Sequence, residues 1–583
     1  MENMLNIKIN GMSCTVPYGT TILEAARQVG IEIPTLCFLK DINEIGACRF
    51  CVVEVKGARS LVAACVFPIE RDGTEIFTNT KKVRESRKRT LELILSTHER
   101  KCLSCVRSQK CELQKLCLEY GVDNEGALDG FKPVYELDTS AAHMVRDNNK
   151  CILCRRCVAA CNNQGVSVIG ANARGIDTHI GSPFELDLAQ TSCISCGQCI
   201  VNCPTGALYE KDDTQKVLDA IGDPTKHVVV QAAPAVRATL GECFDMPIGT
   251  DVTGKLFAAL RRLGFDKVFD TNFGADITIM EEANELLDRI KNGGVLPMVT
   301  SCSPGWIKYC EHYYPTELAH LSTCKSPQQM QGAVIKTYYA EKNGIDPKDI
   351  VSVSAMPCTA KKFECGRDDQ SASGYADVDI VLTTRELGRM IKGAGIQFAS
   401  LPDEEPDAPL GRGTGAAVIF GTTGGVMEAA LRTAAEAITG KELENVEFTE
   451  VRGMEGVKEA SYKLGDMDVK VAVASGTKNA KIIMDKIKDG TADYTFVEIM
   501  GCPGGCINGG GQPVQPASVR NFVDYKTLRA NALYENDKSR PHRKSHENED
   551  VQEVYREYLG EPNSHKAHEI LHTSYVKRSM FNK

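Results

Sequence analysis

The chain has 583 residues, 42% of them apolar, and a formal net charge of −9 at pH 7. This length allows several domains, and the acidic balance argues against a nucleic-acid partner. No apolar run reaches the ~20 residues that cross a bilayer, and the N-terminus "MENMLNIKING" lacks the apolar core of a signal peptide, so we expect a cytoplasmic protein without a membrane span. Such a chain with 25 cysteines is typical of a metalloprotein rather than a disulfide scaffold.

Residues 1–80 alternate short apolar runs, "LNIKING", "CVVEVKG" and "TEIFTNT", with turns, and "TILEAARQVG" predicts one amphipathic helix. A small mixed sheet with one helix resembles the β-grasp fold of plant-type ferredoxins. It is also similar to the first domain of the large iron–sulfur subunit of respiratory NADH dehydrogenase. Four cysteines of this domain are the expected ligands of a 2Fe-2S cluster: Cys37, Cys48, Cys51 and Cys65.

Residues 81–125 contain a second set of ligand types, H-x3-C-x2-C-x5-C, formed by His98, Cys102, Cys105 and Cys111. The spacing alone does not distinguish zinc from iron. Because the set lies between other cluster motifs, and because the same NADH dehydrogenase subunit carries this pattern, we predict a 4Fe-4S cluster.

Residues 140–212 contain the pattern C-x2-C-x2-C-x3-C twice. In bacterial two-cluster ferredoxins the fourth cysteine of each run binds the other cluster. We therefore predict two 4Fe-4S clusters in a ferredoxin domain. The ligands of the first are Cys151, Cys154, Cys157 and Cys203, and those of the second are Cys193, Cys196, Cys199 and Cys161.

Residues 225–515 alternate buried strand-like runs with helical segments, which predicts an α/β domain with mostly parallel sheets. The whole chain is thus expected to be multidomain, α+β at its front end and α/β here. Cysteines follow three of the strands, in "TSCSPGW", "MPCTAKKFE" and "EIMGCPGGCINGGGQP". Loops at the carboxyl ends of parallel strands build sites, so these thiols are expected to meet.

These three loops resemble, in order, the signature loops of iron-only (FeFe) hydrogenases, and the likeness extends over nearly the whole chain. The resemblance implies an H-cluster, in which a 4Fe-4S cluster is joined to a diiron unit carrying CO, cyanide and a bridging dithiolate amine. It implies that Cys358, Cys502 and Cys506 bind the cluster, with Cys506 as the bridge. Lys361 would donate to a cyanide and Glu364 would hold Lys361. Pocket-lining positions are Pro234, Ala235, Gln328, Met356, Phe420 and Met500.

The first loop departs from the family, in which two adjacent cysteines serve as proton relay and as ligand. Here Cys302 is followed by Ser303. Either Cys302 takes over ligation while Ser303 or water relays protons, or Ser303 binds iron as an alkoxide and Cys302 keeps the relay. Ala235 replaces a serine found in many relatives, so one hydrogen bond to a cyanide is expected to be missing.

Glu282 and Glu285 lie three residues apart and so share a helix face. The resemblance implies that they carry protons together with Ser322. Residues 516–583 resemble the small-subunit segment of iron-only hydrogenases, expected to wrap the catalytic domain. We expect its charged stretch "ENDKSRPHRKSHENED" to be a solvated link or a surface arm.

The resemblance implies reversible oxidation of H2 to protons and electrons, with electrons relayed by one 2Fe-2S and three accessory 4Fe-4S clusters. The NADH-dehydrogenase-like front end suggests a subunit of an electron-bifurcating complex, with ferredoxin and with flavin- and NAD(P)-binding partner subunits. The alternative is a non-catalytic iron–sulfur electron-transfer subunit or a hydrogen sensor; the intact set of Glu282, Glu285 and Ser322 argues against a sensor.

Overall fold

The computed structural model describes residues 3–123, 128, 132–443, 445–465 and 467–581. Expected domain ends that fall on other positions, such as residues 1–2, 124–125 and 582–583, lie outside the described residues.

The first domain is a mixed five-stranded sheet with one helix against it. In spatial order its strands are Met12–Pro17, Met4–Ile9, Glu75–Phe77, Val52–Val55 and Val62–Ala63. Alternate residues of Met4–Ile9 are buried, as a half-buried strand requires. The helix Ile22–Gln28 begins at Thr21, whose side chain accepts from the Glu24 amide in a capping box. This confirms the predicted sheet and helix.

Two helices, Lys81–Thr97 and Glu112–Glu119, flank the stretch of chain that contains His98. Their apolar residues Leu91 and Leu113 share a small core with Leu36 and Phe50 of the first domain. The two units are therefore packed on one another rather than linked by an exposed connection.

The next part of the chain has the pseudo-symmetric layout of a small ferredoxin. The elements are the helices Arg156–Asn163 and Gln198–Asn202 and the antiparallel strand pairs Met144–Arg146 with Leu208–Glu210 and Gly170–Asn172 with His179–Gly181. The helix Thr214–Gly222 leads into the large domain.

The large domain is built on two four-stranded sheets. The first is wholly parallel and has the order Lys267–Asp270, His227–Ala232, Ile350–Met356, Ile380–Thr383. The second has the order Met298–Val299, Phe496–Met500, Met467–Ser475, Val457–Leu464, and its last pair is antiparallel. The predicted α/β architecture is confirmed, and each cysteine loop follows the carboxyl end of a strand.

Helices cover these sheets. Those of the large domain are Pro234–Arg237, Thr253–Leu263, Asn272–Asn292, Pro304–Tyr313, Pro327–Val334, Ala340–Asn343, Ala360–Glu364, Thr384–Gly393, Gly415–Ile419, Gly425–Thr439 and Thr477–Lys488. A π-helical turn, Ile335–Tyr339, joins two of them. The helix Asn272–Asn292 is buried over most of its length and passes behind the candidate site.

The C-terminal segment wraps the large domain with the helices Ala517–Arg520, Tyr525–Ser539, Glu549–Val554 and His565–Leu571. The expectation that its charged stretch is solvated holds for only part of it: Lys538 and His542 are exposed, but other residues are buried. Asp537 is buried and paired with the buried Arg432 at 2.9 Å, and Lys544 is buried beside Glu436. Opposite charges on the covered surface hold this stretch in place. Within the described residues no helix is long and apolar enough to span a bilayer.

Candidate active site

One cavity of about 80 Å³ lies where the three cysteine loops meet. Its walls include the thiols of Cys302, Cys358, Cys502 and Cys506 and all six positions expected to line a pocket: Pro234, Ala235, Gln328, Met356, Phe420 and Met500. Strand ends bring these residues together from both sheets. The cavity is thus lined by sulfur and apolar groups, with few polar atoms.

The thiols of this cavity suit an iron–sulfur cofactor. Burial raises the pKa of Cys502, and the nearby Cys358 and Cys506 raise it further. All three are free cysteines. Several buried thiols around one void, without a disulfide, fit a metal cluster. The protein environment alone keeps these thiols protonated, whereas coordination to a metal converts them to thiolates.

Lys361 brings a positive charge to this cavity. Its ammonium donates to Glu364 at 3.0 Å, to the Ser326 hydroxyl at 2.7 Å and to the Cys302 carbonyl at 3.3 Å. Glu364 also accepts from the Gln328 amide at 3.1 Å. The predicted Lys361–Glu364 contact is therefore present and buried.

Cys302 and Ser303 face different neighbours. The Ser303 hydroxyl accepts from the Gly501 amide at 3.0 Å, so it is turned toward the loop of Cys502. Burial raises the pKa of Cys302 well above its ordinary value, and the next largest cause is the charge of Glu282. Cys302 thus lies between the cavity and Glu282.

The glycines after Cys506 lie directly against the backbones of neighbouring loops. A β carbon on Gly509 would lie 2.2 Å from the Pro357 carbonyl oxygen, and one on Gly510 would lie 2.3 Å from the Cys196 carbonyl oxygen. These distances are too short for any side chain. The glycines allow the third cysteine loop to pack on the backbones of two other cysteine loops.

Glu282 is fully buried on the helix Asn272–Asn292. Burial raises its pKa to about 8, and the charge of Glu285 adds to the rise, while Ser322 and the Ser301 backbone lower it. Neither carboxylate oxygen has a well-aligned hydrogen-bond partner among the described residues. A neutral carboxyl with unused oxygens suits transient proton exchange.

Glu285 and Ser322 continue from Glu282 toward the surface. The Ser322 hydroxyl donates to Glu285 at 2.9 Å, and the Thr323 amide donates to both Glu285 oxygens at 3.1 and 3.2 Å. Arg289 donates to Glu285 at 2.6 Å. The structure therefore brings the three predicted proton-path residues together.

The ferredoxin cysteines form the two predicted groups. A small cavity is lined by Cys151, Cys154, Cys157 and Cys203, the predicted first set. In the second set, burial and the nearby Cys196, Cys193 and Cys161 raise the pKa of Cys199. Both groups combine cysteines from two separate runs, and both fit a cubane held by four thiolates.

The four candidate cysteine ligands of the first domain lie close together. The Cys51 and Cys65 sulfurs are 3.3 Å apart, and the Cys48 amide donates to the Cys37 sulfur at 3.5 Å. His98 is buried, and its Nδ1 has no hydrogen-bond partner in the part of the chain that the structure describes. A buried nitrogen without a partner is costly unless a ligand such as a metal takes it up.

Family comparisons agree with this geometry. Residues 226–510 match the iron only hydrogenase large subunit, C-terminal domain, and residues 523–578 match the iron hydrogenase small subunit. The front end matches a 2Fe-2S iron–sulfur cluster binding domain (2–81), the NADH-ubiquinone oxidoreductase-G iron–sulfur binding region (87–125) and a 4Fe-4S dicluster domain (150–207).

Two similar proteins extend over the full chain. The NADP-reducing hydrogenase subunit HndD of Solidesulfovibrio fructosivorans is 48% identical, with 99% of each chain covered. Iron hydrogenase 1 of Clostridium pasteurianum is 46% identical, with 98% of this chain and 100% of the relative covered. The chain belongs to the iron-only hydrogenase family.

A solved [FeFe]-hydrogenase structure, HydA(deltaEFG), matches 63% of this chain and 99% of its own at 46% identity, with a TM-score of 0.56. Iron-only hydrogenases oxidise H2 and reduce protons at the H-cluster. This chain has the H-cluster domain together with 2Fe-2S and 4Fe-4S domains that form the relay.

In this hydrogenase, side chains that the sequence did not single out join the relay to the active site. The Gln198 amide donates to the Asn508 carbonyl at 2.8 Å, and the Gln164 amide donates to the Gly501 carbonyl at 2.7 Å. The Thr359 hydroxyl donates to the Ser195 carbonyl at 2.8 Å. Residues next to both ferredoxin cysteine runs are thus hydrogen-bonded to loops of the active site.

Both front-end units meet the other ferredoxin cysteine set. The Asn43 amide donates to the Cys37 carbonyl at 2.8 Å and to the Cys154 carbonyl at 3.0 Å. Arg107 donates to the Cys203 carbonyl at 3.3 Å. Both front-end units of this hydrogenase therefore contact the cysteine set that contains Cys154 and Cys203. No sequence signal marks Asn43 or Arg107, because their partners are far away in the chain.

Proposed function

We propose that the chain is the hydrogen-converting subunit of a multimeric, electron-bifurcating hydrogenase. Flavin-bearing partner subunits would exchange electrons with NAD(P)H, and ferredoxin would be the second electron carrier. The observation that carries the proposal is the continuous contact path from the first domain to the active site. The match over 99% of both chains to a subunit named NADP-reducing supports it.

We propose the ligand sets that the convergent thiols suggest. The 2Fe-2S cluster takes the four cysteines of the first domain, the histidine-ligated cluster takes His98 with three cysteines, and the ferredoxin clusters take the two cross-run sets. At the active site Cys358, Cys502 and Cys506 bind the cubane, and Cys506 bridges to the diiron unit. The thiols of Cys358, Cys502 and Cys506 line one cavity, and the void between them supports their assignment as ligands of the active-site cluster.

The neighbours of Cys302 and Ser303 favour one of the two alternatives for the first loop. Ser303 points toward the Cys502 loop and accepts from the Gly501 amide, as a cluster ligand does from backbone amides. Cys302 lies between Glu282 and Cys506, the two groups whose charges add most to the rise in its pKa after burial. We assign the oxygen of Ser303 to the cubane and the thiol of Cys302 to proton relay.

When bound, the H-cluster supplies the metal centre at which H2 is formed or split. Lys361 places a fixed cation at the cavity, and the carboxylate of Glu364 keeps that cation charged and oriented. The apolar walls keep bulk water away. Cys302, Glu282, Ser322 and Glu285 then form the route by which protons enter and leave, with Glu282 neutral at pH 7.

Purification of the chain under anaerobic conditions from its own genetic context tests the partner proposal. We expect a complex that contains flavin and reduces NAD(P) with H2, with a rate that depends on ferredoxin. A chain that purifies alone and exchanges electrons with ferredoxin at full rate contradicts it. A chain with a complete set of clusters but no H2 conversion would instead be an electron-transfer subunit or a sensor.

A further inference from the structure

The C-terminal segment places a pair of histidines at the outer end of the proton route. His572 follows the helix His565–Leu571, and its side chain is only 5% exposed. His568 is on the same helix, four residues earlier, and is exposed to solvent. The two rings are 4.0 Å apart between centroids. Together they connect a buried position with water.

His572 is held by hydrogen bonds on both ring nitrogens. Its Nε2 lies 3.0 Å from a Glu281 oxygen, and its Nδ1 lies 2.7 Å from the Thr323 hydroxyl. Glu281 accepts in addition from the Tyr555 hydroxyl and from the Asn563 amide. A carboxylate with these partners favours a proton on Nε2, which leaves Nδ1 to accept from Thr323 and to take up a further proton.

The same ring is close to Glu285. A carboxylate oxygen of Glu285, the sulfur of Cys324 and a ring nitrogen of His572 all lie within 4.8 Å of one another. Thr323 links the two groups directly, since its amide donates to Glu285 and its hydroxyl meets His572. A gap of this length is one that a single bridging water spans. The groups that face His572 are therefore Glu281, Glu285, Cys324, Tyr555 and His568.

Within the described residues, the other side of Glu285 is occupied by Arg289. Arg289 donates there to Glu285 and to the carbonyls of Leu321, Val295 and Ala319. A guanidinium stays protonated in proteins and so does not pass a proton on. Glu285 itself is 8% exposed. An imidazole can take up a proton on one ring nitrogen and release one from the other, so His572 is the better carrier.

A metal site is the competing interpretation of the cluster formed by Glu285, Cys324 and His572. The carboxylate oxygens of Glu285 are engaged by Arg289, Ser322 and Thr323, and both nitrogens of His572 have partners. The Glu285 oxygens and both ring nitrogens of His572 are thus already engaged in hydrogen bonds, which favours proton exchange over metal binding.

We infer that His572 and His568 form the solvent end of the proton route, so that the C-terminal segment supplies part of the proton-transfer machinery. A proton from water passes to His568, from there to His572 and then to Glu285; in H2 oxidation the order is reversed. The inference rests on the proposed hydrogen conversion and extends its proton route to residues that no signature loop contains.

His572→Gln tests the inference, because glutamine keeps hydrogen bonds to Glu281 and Thr323 but does not carry a proton. His565→Gln is the matched control: it lies on the same helix, with a side chain 90% exposed and beside Glu569. We expect His572→Gln to lower H2 formation with a viologen donor by roughly 100-fold, the lower range for a positioned proton donor. Added imidazole should restore much of the rate. His565→Gln should match the wild type.

A second measurement does not need turnover. Exchange of the imidazole C2 hydrogen in deuterated water, followed by mass spectrometry, reports how readily each ring is protonated and reached by solvent. We expect His568→Gln to slow exchange at His572 several-fold and His565→Gln to leave it unchanged.

Wild-type rates in His572→Gln contradict the inference, as does a loss that imidazole does not restore and that comes with altered cluster infrared bands. If the wild type itself converts no H2, the proposed function fails, whereas the C2 exchange pattern still decides whether the two histidines are linked.

Discussion

Gly510, in the third cysteine loop, lies against the carbonyl of Cys196, a residue of the second ferredoxin cysteine set. A β carbon at Gly510 would be 2.3 Å from that oxygen and 2.6 Å from the α carbon of Gly197. The active site and the relay are thus in backbone contact at this point. This contact is close enough for the glycine itself to be required.

Gly510→Ala should separate these two loops, because both colliding atoms belong to the main chain and have little freedom to move. We expect a loss of about 1–3 kcal/mol in the free energy of unfolding, as for other overpacked sites. Anaerobic thermal unfolding measures it. Gly393→Ala, where a β carbon meets nothing within 4 Å, is the control and should leave Tm unchanged or slightly raised. Equal effects in the two variants would refute the contact.

Lys361→Met should destroy the charge arrangement of the cavity, because Glu364 then remains buried without its cation. Breaking a buried ion pair in this way costs about 3–5 kcal/mol. We expect the variant to retain its accessory clusters but to hold little diiron unit, measured by iron content and by infrared absorption of CO and cyanide. Lys538→Met removes the exposed pair with Glu535 and should have no such effect. Normal cofactor bands in Lys361→Met would argue against the assigned role.

Glu282→Gln should stop proton transfer while leaving the clusters intact, with a drop in H2 formation of about 100-fold or more. It should also change how stability depends on pH. The folded protein keeps Glu282 protonated up to a pKa of about 8, whereas the ordinary value is 4.5. Between these values the folded state binds more protons than the unfolded state, so the contribution of Glu282 to stability falls as pH rises.

The glutamine variant lacks this contribution. Its Tm, relative to the wild type, should therefore increase from pH 5 toward pH 8. A difference in Tm that is the same at every pH in this window would show that Glu282 titrates normally.

Arg156→Met should loosen the joint between the front end and the ferredoxin domain. The buried guanidinium donates to the Phe38 carbonyl at 3.0 Å and pairs with Glu112 at 3.0 Å. We expect electron exchange with partner subunits to fall more than viologen-driven H2 formation, since the latter does not depend on the first domain. The exposed neighbour Arg155, changed to Met, serves as control. An equal loss of both activities in Arg156→Met would contradict a role at this joint.

Local sequence patterns were sufficient to predict the elements and the thiol sets. The cysteine spacing groups Cys203 with a run almost fifty residues earlier, and the structure places it with Cys151, Cys154 and Cys157 around one cavity. The period of the apolar residues likewise predicted the helix that carries Glu282. The helix signal lies within one short stretch, and the cysteine grouping follows the known ligand pattern of two-cluster ferredoxins, so neither needed knowledge of the packing.

Contacts between distant parts of the chain could not be predicted in this way. By composition the charged stretch around Asp537 is predicted to be a surface arm, yet the structure buries Asp537 against Arg432 and Lys544 beside Glu436. His572 likewise belongs to a charged, histidine-rich segment, and its role depends on its contacts with the distant residues Glu281 and Thr323. Which surface covers a polar residue is decided by tertiary packing, and a single sequence does not carry that information.

The most direct test of the central claim is an infrared spectrum of the anaerobically purified protein, co-expressed with its maturation enzymes. CO and cyanide bound to iron absorb where polypeptide does not. We predict sharp bands in this region that shift under H2. A protein shown to hold its iron–sulfur clusters and to be fully matured, yet without such bands, would contradict the assignment of a hydrogen-converting site to the cavity formed by Cys302, Cys358, Cys502 and Cys506.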